Sequence, residues 1–105
     1  MDQATVLNIV ARFREALGKQ SIHNARLILF GSHARGDAHE GSDIDLVVVS
    51  NDFVGKDYWR RINILTEAIY EVFEPIQAVA LTPEEWAAGE LTICEYAKDG
   101  VDVAA

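Results

Sequence analysis

Two carboxylates and a Gly-Ser pair fall within one stretch of the chain, Leu27 to Ser50, which reads LILFGSHARGDAHEGSDIDLVVVS. Gly31-Ser32 directly follows the apolar run Leu27-Ile28-Leu29-Phe30, and Asp43-Ile44-Asp45 opens a second run, Leu46-Val47-Val48-Val49. Residues two apart on a strand project from the same face, so Asp43 and Asp45 point the same way at the mouth of an apolar strand. Left unpaired they repel each other. A hard cation held through oxygen ligands removes that repulsion. A Gly-Ser turn leaving a strand can present free backbone N–H groups to an anion. An anion cradle beside a divalent-metal site reads as a site for a nucleoside triphosphate.

Each of these residues also has a plainer reading. Ser32 could be an N-cap that satisfies backbone donors at a helix start, and Asp43 could cap groups at a strand end. Arg35 has Asp37, Glu40, Asp43 and Asp45 nearby as ion-pair partners, as well as a possible phosphate. Asp45 is harder to explain away, because a carboxylate two residues into an apolar strand needs a partner. Glycine at position 31 follows the phosphate reading, since a side chain there would hold phosphates away from the backbone. His23, His33 and His39 read as exposed loop residues.

Gly31-Ser32, the ten residues His33 to Ser42, and Asp43-Ile44-Asp45 together resemble the signature of the nucleotidyltransferase superfamily related to DNA polymerase beta, in its minimal nucleotidyltransferase branch. The Ala34-Arg35-Gly36 and Ser42-Asp43-Ile44-Asp45-Leu46 pieces are similar to the same branch. The motif spans fifteen residues, and the element order extends the likeness over nearly the whole chain. The resemblance implies an α+β fold, a small mixed β-sheet with helices packed on one side. It also implies Mg2+ held by Asp43 and Asp45, and ATP as substrate, its beta and gamma phosphates oriented by Gly31 and Ser32 with Arg35 beside them. Active members carry a third carboxylate on the strand after the long helix. Here Gln77 takes the aligned position, and Glu74 is the nearest acidic residue before that strand. An amide cannot act as a base or neutralise charge.

The elements that must position this site are legible from periodicity. Val6, Val10, Phe13 and Leu17 predict a helix over 3–17 ended by Gly18. Ala25–Phe30 and Asp43–Ser50 read as strands, the second covered on at least one face because its middle is wholly apolar. Tyr58, Ile62, Leu65, Ile69 and Val72 predict a helix over 56–74 with Trp59 and Phe73 beside that face, Arg60 and Arg61 towards solvent, and Pro75 as the stop. Ile76–Leu81 reads as a third strand. Thr82-Pro83-Glu84-Glu85 is a capping box, with Leu81 and Trp86 at the two positions of a hydrophobic staple. A last helix over about 89–98 contains Cys94 as a small apolar residue, and Val101 and Val103 read as a short edge strand.

The 105 residues are predicted to form one domain, 1–105, with one modest core. A net charge of −8 argues against direct nucleic-acid binding, which needs Lys and Arg against phosphates. The lone Cys94 points to a reducing, cytoplasmic compartment. No apolar run reaches membrane-spanning length, and the N-terminus lacks a signal-peptide pattern. The branch resembled is commonly encoded beside a small helical protein, as the antitoxin of a toxin–antitoxin pair that modifies a toxin tyrosine. The expectation is therefore transfer of AMP from ATP to a hydroxyl of a helical toxin partner, and the acidity suits docking on a basic one. A second reading is a catalytically weak or inactive module that neutralises such a partner by binding. Antibiotic adenylylation ranks last, for lack of a drug-binding domain. A homo-oligomer is left open.

Overall fold

The first helix starts where Asp2 caps it, its Oδ1 accepting from the Thr5 N–H at 2.8 Å. In the computed structural model, which describes residues 1–103, α1 (Gln3–Lys19) is followed by β1 (Arg26–Phe30), α2 (Ser32–Arg35) and β2 (Ile44–Val49). After a 3-10 turn at Asn51–Phe53 come α3 (Tyr58–Val72), β3 (Ile76–Leu81), α4 (Pro83–Ala88), α5 (Thr92–Ala97) and β4 (Val101–Val103). The four strands make one mixed sheet in the order β3-β2-β1-β4. β1 runs antiparallel to both β2 and β4, while β2 and β3 are parallel. The expected α+β class and mixed sheet are both present.

Strand alternation sorts the core into two layers. Leu27, Leu29, Ile44, Leu46, Val48, Ile76 and Ala80 face α1 and α3, and join Val6, Ile9, Val10, Phe13, Leu17, Leu65, Ala68 and Val72 in the main cluster. Ile28, Val47, Val49 and Leu81 point the other way, onto Trp86, Ile93, Cys94 and Ala97. The two long helices thus share one face of the sheet, as expected. The short α4 and α5 cover part of the opposite face, a placement the sequence reading lacked. The reason lies in β2: Leu46 to Val49 are all buried, and a central strand apolar on both faces needs cover on both. No helix among the described residues is long and apolar enough to cross a membrane.

Three expectations need correction. Helix α3 buries Leu65, Ala68 and Val72, so its inward stripe is rotated away from Tyr58, which is 66% exposed. Its first turn lines a cleft alongside β3 instead of sitting on the main core. Arg61 is not solvated: Nη1 meets Glu85 Oε1 at 2.7 Å and Nε donates to the Lys56 carbonyl at 2.9 Å, with only 17% of the side chain exposed. Burial works against the Glu85 carboxylate, yet the Thr82 N–H and the Arg61 guanidinium outweigh it and hold its pKa below the ordinary value. The last helix, expected over about 89–98, is the shorter α5, and the capping box before it opens a helix of its own, α4, which Gly89 ends in a left-handed conformation. The box itself forms as predicted, and Leu81 and Trp86 join the same apolar cluster.

Helix α3 ends on Phe73, whose φ of 57° and ψ of 48° are left-handed while its ring is 84% exposed. A bulky side chain in that region costs about 1–2 kcal/mol, and glycine removes the cost. Because little packing would be lost, Phe73→Gly is expected to stabilise the fold by about 0.5–1 kcal/mol after its extra unfolded-state entropy. A thermal melt checks this; a lower Tm would mean that the Phe73 ring contributes more than its exposure indicates.

Candidate functional site

The turn after β1 is possible because residue 31 is glycine. Its φ of 74° and ψ of −155° lie in a region open essentially to glycine alone. A Cβ built on Gly31 would also overlap the Asp45 carboxylate. Phe30 and Asp45 are register partners across β1 and β2, so the turn and the second carboxylate meet at one end of the sheet. Gly31 is the N-cap of α2 and Ser32 its first residue, so the reading of Ser32 as an N-cap does not hold. The opening N–H groups of such a turn have no intrahelical acceptor.

Residues 36–42 return the chain to Asp43 under two tethers. Ser42 Oγ accepts from the His39 N–H at 3.0 Å, and His33 Nε2 lies 3.3 Å from the Ser42 carbonyl. A carbonyl only accepts, so this bond places the proton on Nε2. His39 is exposed as expected, but His33 is half-buried and holds the loop. Nothing in the local sequence announces this contact, which spans nine residues of loop.

Asp45 pairs in register with Gln77 on β3, and Gln77 Nε2 donates to Asp43 Oδ2 at 2.9 Å. Asp43, Asp45 and Gln77 therefore converge at the open end of the sheet. A cleft of about 420 Å³ lined by Phe30, Asp45, Gln77, Ala78, Val79 and Ile93 opens there. Burial and the neighbouring Asp43 charge push the Asp45 pKa above the usual carboxylate value, with His33 and Arg35 partly opposing them. Arg35 itself lies beside Asp37, Nε to Oδ2 3.2 Å, with most of its side chain in solvent. It is not among the residues lining that cleft and makes no hydrogen bond to the Asp pair, although its charge acts on Asp45. Glu74 is held by Arg12 at 3.1 Å, under α1, and adds no third carboxylate.

The residues present fit one divalent cation. Mg2+ is commonly bound through one or two carboxylates together with substrate phosphates. Asp43 and Asp45 supply hard oxygen ligands, brought together beside Gln77 at the open end of the sheet. Among the described residues no three His, Cys, Asp or Glu side chains form a metal-sized group, so no third such ligand joins the Asp pair there.

The raised proton affinity has a consequence for stability. The native state binds an extra proton between the ordinary carboxylate pKa and the raised one, so stability falls as pH rises through that window. In metal-free buffer Asp45→Asn is therefore expected to raise Tm at neutral pH, with the gain disappearing below the ordinary carboxylate pKa. A variant melting lower than wild type at pH 7 would mean that Asp45 is fully satisfied as an anion.

The family described as nucleotidyltransferase domain matches residues 10–86, which include the turn, both aspartates and Gln77. Among curated proteins, a sequence comparison finds no significant match. Of solved structures, a candidate nucleotidyltransferase from Sulfolobus solfataricus superposes with a TM-score of 0.71 at 24% identity, over 95% of this chain and 80% of that one. A second candidate nucleotidyltransferase gives 0.55 at 29% identity, over 77% and 86%. A toxin–antitoxin structure with AMP-PNP gives 0.60 at 22% identity, over 94% and 73%. With the family match covering most of its length and the Gly-Ser turn set against Asp45, the chain belongs to the nucleotidyltransferase domain family.

Proposed function

We propose that this chain moves AMP from ATP to a hydroxyl of a partner protein, with Mg2+ held by Asp43 and Asp45, as the antitoxin of a toxin–antitoxin pair. The observation that supports the reading most is the packing of the Gly31 backbone against the Asp45 carboxylate, which brings the turn and a carboxylate together. In this reading the Gly31-Ser32 turn and the free Ser32 hydroxyl orient the beta and gamma phosphates, and Arg35 adds charge nearby. The attacking hydroxyl oxygen forms a bond to the alpha phosphorus, the bond to the beta phosphate's bridging oxygen breaks, pyrophosphate leaves, and the hydroxyl proton passes to solvent. When bound, Mg2+ supplies charge neutralisation on the triphosphate and its leaving group. The nucleotide-bearing toxin–antitoxin structure of the same fold supports both the nucleotide and the protein partner.

Gln77 favours a second reading. Its amide donates to Asp43 in the position of a third carboxylate, so no base stands on β3 to take the acceptor's proton. A module that neutralises its partner by binding alone would need none.

Intact mass of a helical partner protein co-expressed with the chain separates the readings. The transfer reading expects the partner to gain one adenylyl group, the gain to vanish with Asp43→Asn plus Asp45→Asn, and Gln77→Asp to raise the rate about a hundredfold, the low end of what a positioned base contributes. Undiminished modification by the double variant contradicts the assignment of the Asp pair. Wild-type binding without modification favours the binding module.

A further inference from the structure

The sheet ends on β3, whose outer edge has no neighbouring strand among the described residues. Two hydrogen bonds set the direction of its backbone groups: Ile44 N–H donates to the Pro75 carbonyl, and Ser50 N–H to that of Leu81. In a parallel ladder alternate residues face the same neighbour, so 75, 77, 79 and 81 bond β2 while 76, 78 and 80 face outward. Arg61 agrees with this, since its Nη1 approaches the outward Ala80 carbonyl from α3 at 3.4 Å. The Ile76 N–H turns back to Glu74. The Ile76 and Ala78 carbonyls and the Ala78 and Ala80 N–H groups remain, spaced at the strand repeat and without a backbone partner among the described residues.

These groups form the floor of a trough. A cleft of about 640 Å³ is lined by Ala78, Val79, Ala80 and Leu81 in succession. Consecutive strand residues point to opposite faces, so only the strand's edge presents all four at once. Ile62 and Leu65 of α3 wall one side, and Leu91 and Ile93 wall the other. The cleft holding Asp45 and Gln77 shares Ala78, Val79 and Ile93 with this trough, so the two are continuous along β3. The Arg61–Glu85 pair closes the far end.

We infer that the open edge of β3 receives an extended segment of a protein partner as an added strand, running from the Arg61–Glu85 pair to the Asp45 cleft. Unpaired main-chain groups at the strand repeat match a polypeptide in extended form, and apolar walls take its alternate side chains. The segment's end reaches the aspartates, so a hydroxyl-bearing residue there is the acceptor. This last role rests on the transfer reading; the docking does not.

The probe is a display library of random decapeptides, each with one fixed tyrosine. Selected peptides are expected to slow hydrogen exchange at the Ala78 and Ala80 amides. They should bind Ala78→Pro at least tenfold more weakly, because proline removes an outward donor while leaving the bonds to β2. Leu91→Asp, on the exposed wall, should weaken binding similarly and covers the case in which the proline variant fails to fold. A library without binders, or binders that ignore both variants and leave those amides unprotected, overturns the docking. A dimer of the chain that Ala78→Pro dissociates assigns the edge to a second copy and also overturns it. Peptide docking without binding of Mg-ATP would leave the edge assignment standing and defeat the transfer reading alone.

Discussion

The close approach of the Gly31 backbone to the Asp45 carboxylate is the constraint on which the site depends. It requires residue 31 to lack a Cβ and to adopt a backbone conformation that other residues avoid. It also requires β1 and β2 to be antiparallel neighbours in the register that sets Phe30 opposite Asp45. Parallel pairing of β2 with β3 then brings Gln77 beside Asp45, and Asp43, just before the strand, meets the Gln77 amide. The rest of the fold keeps these three strand ends in place. α1 and α3 press on one face of the sheet, and α4 and α5 cover part of the other while leaving its Asp-bearing end open.

Stability and function oppose each other at this point. A carboxylate drawn out of water beside a second carboxylate is an unfavourable anion, which the pKa of Asp45 records. Local destabilisation of this kind is characteristic of functional sites. The chain adds little positive charge of its own: His33 and Arg35 are the neighbours that oppose the shift. Gln77 supplies a hydrogen-bond donor to Asp43 without changing the net charge. The proposed function assigns this pair to a metal carried in with a triphosphate.

Much of this was legible in the sequence because it is local. The Gly-Ser turn, the Asp pair and the intervening loop lie within one hairpin-like stretch, and alternation alone sets both carboxylates on one face. Strand β3 has the predicted bounds, and the Thr82–Glu85 capping box forms as read. Two misses are local, the N-cap of α2 at Gly31 and the stop of α4 at Gly89, and the others are tertiary. Arg61 meets Glu85 across the edge of the sheet, and His33 reaches a carbonyl nine residues on; neither partner is set by helical or strand spacing. The apolar face of α3 was centred too near Tyr58, because periodicity gives a stripe but not where along the helix the sheet ends. The β3 edge could not be foreseen at all, since it depends on strand order.

Calorimetric titration of Mg-ATP into the wild-type chain and into the Asp43→Asn, Asp45→Asn variant tests the central claim most directly. The account expects saturable binding by the wild type and a loss of tenfold or more, about 1.4 kcal/mol, in the variant. Equal binding by both proteins would place the triphosphate elsewhere and contradict the assignment of the Gly31 turn and the Asp pair to one site.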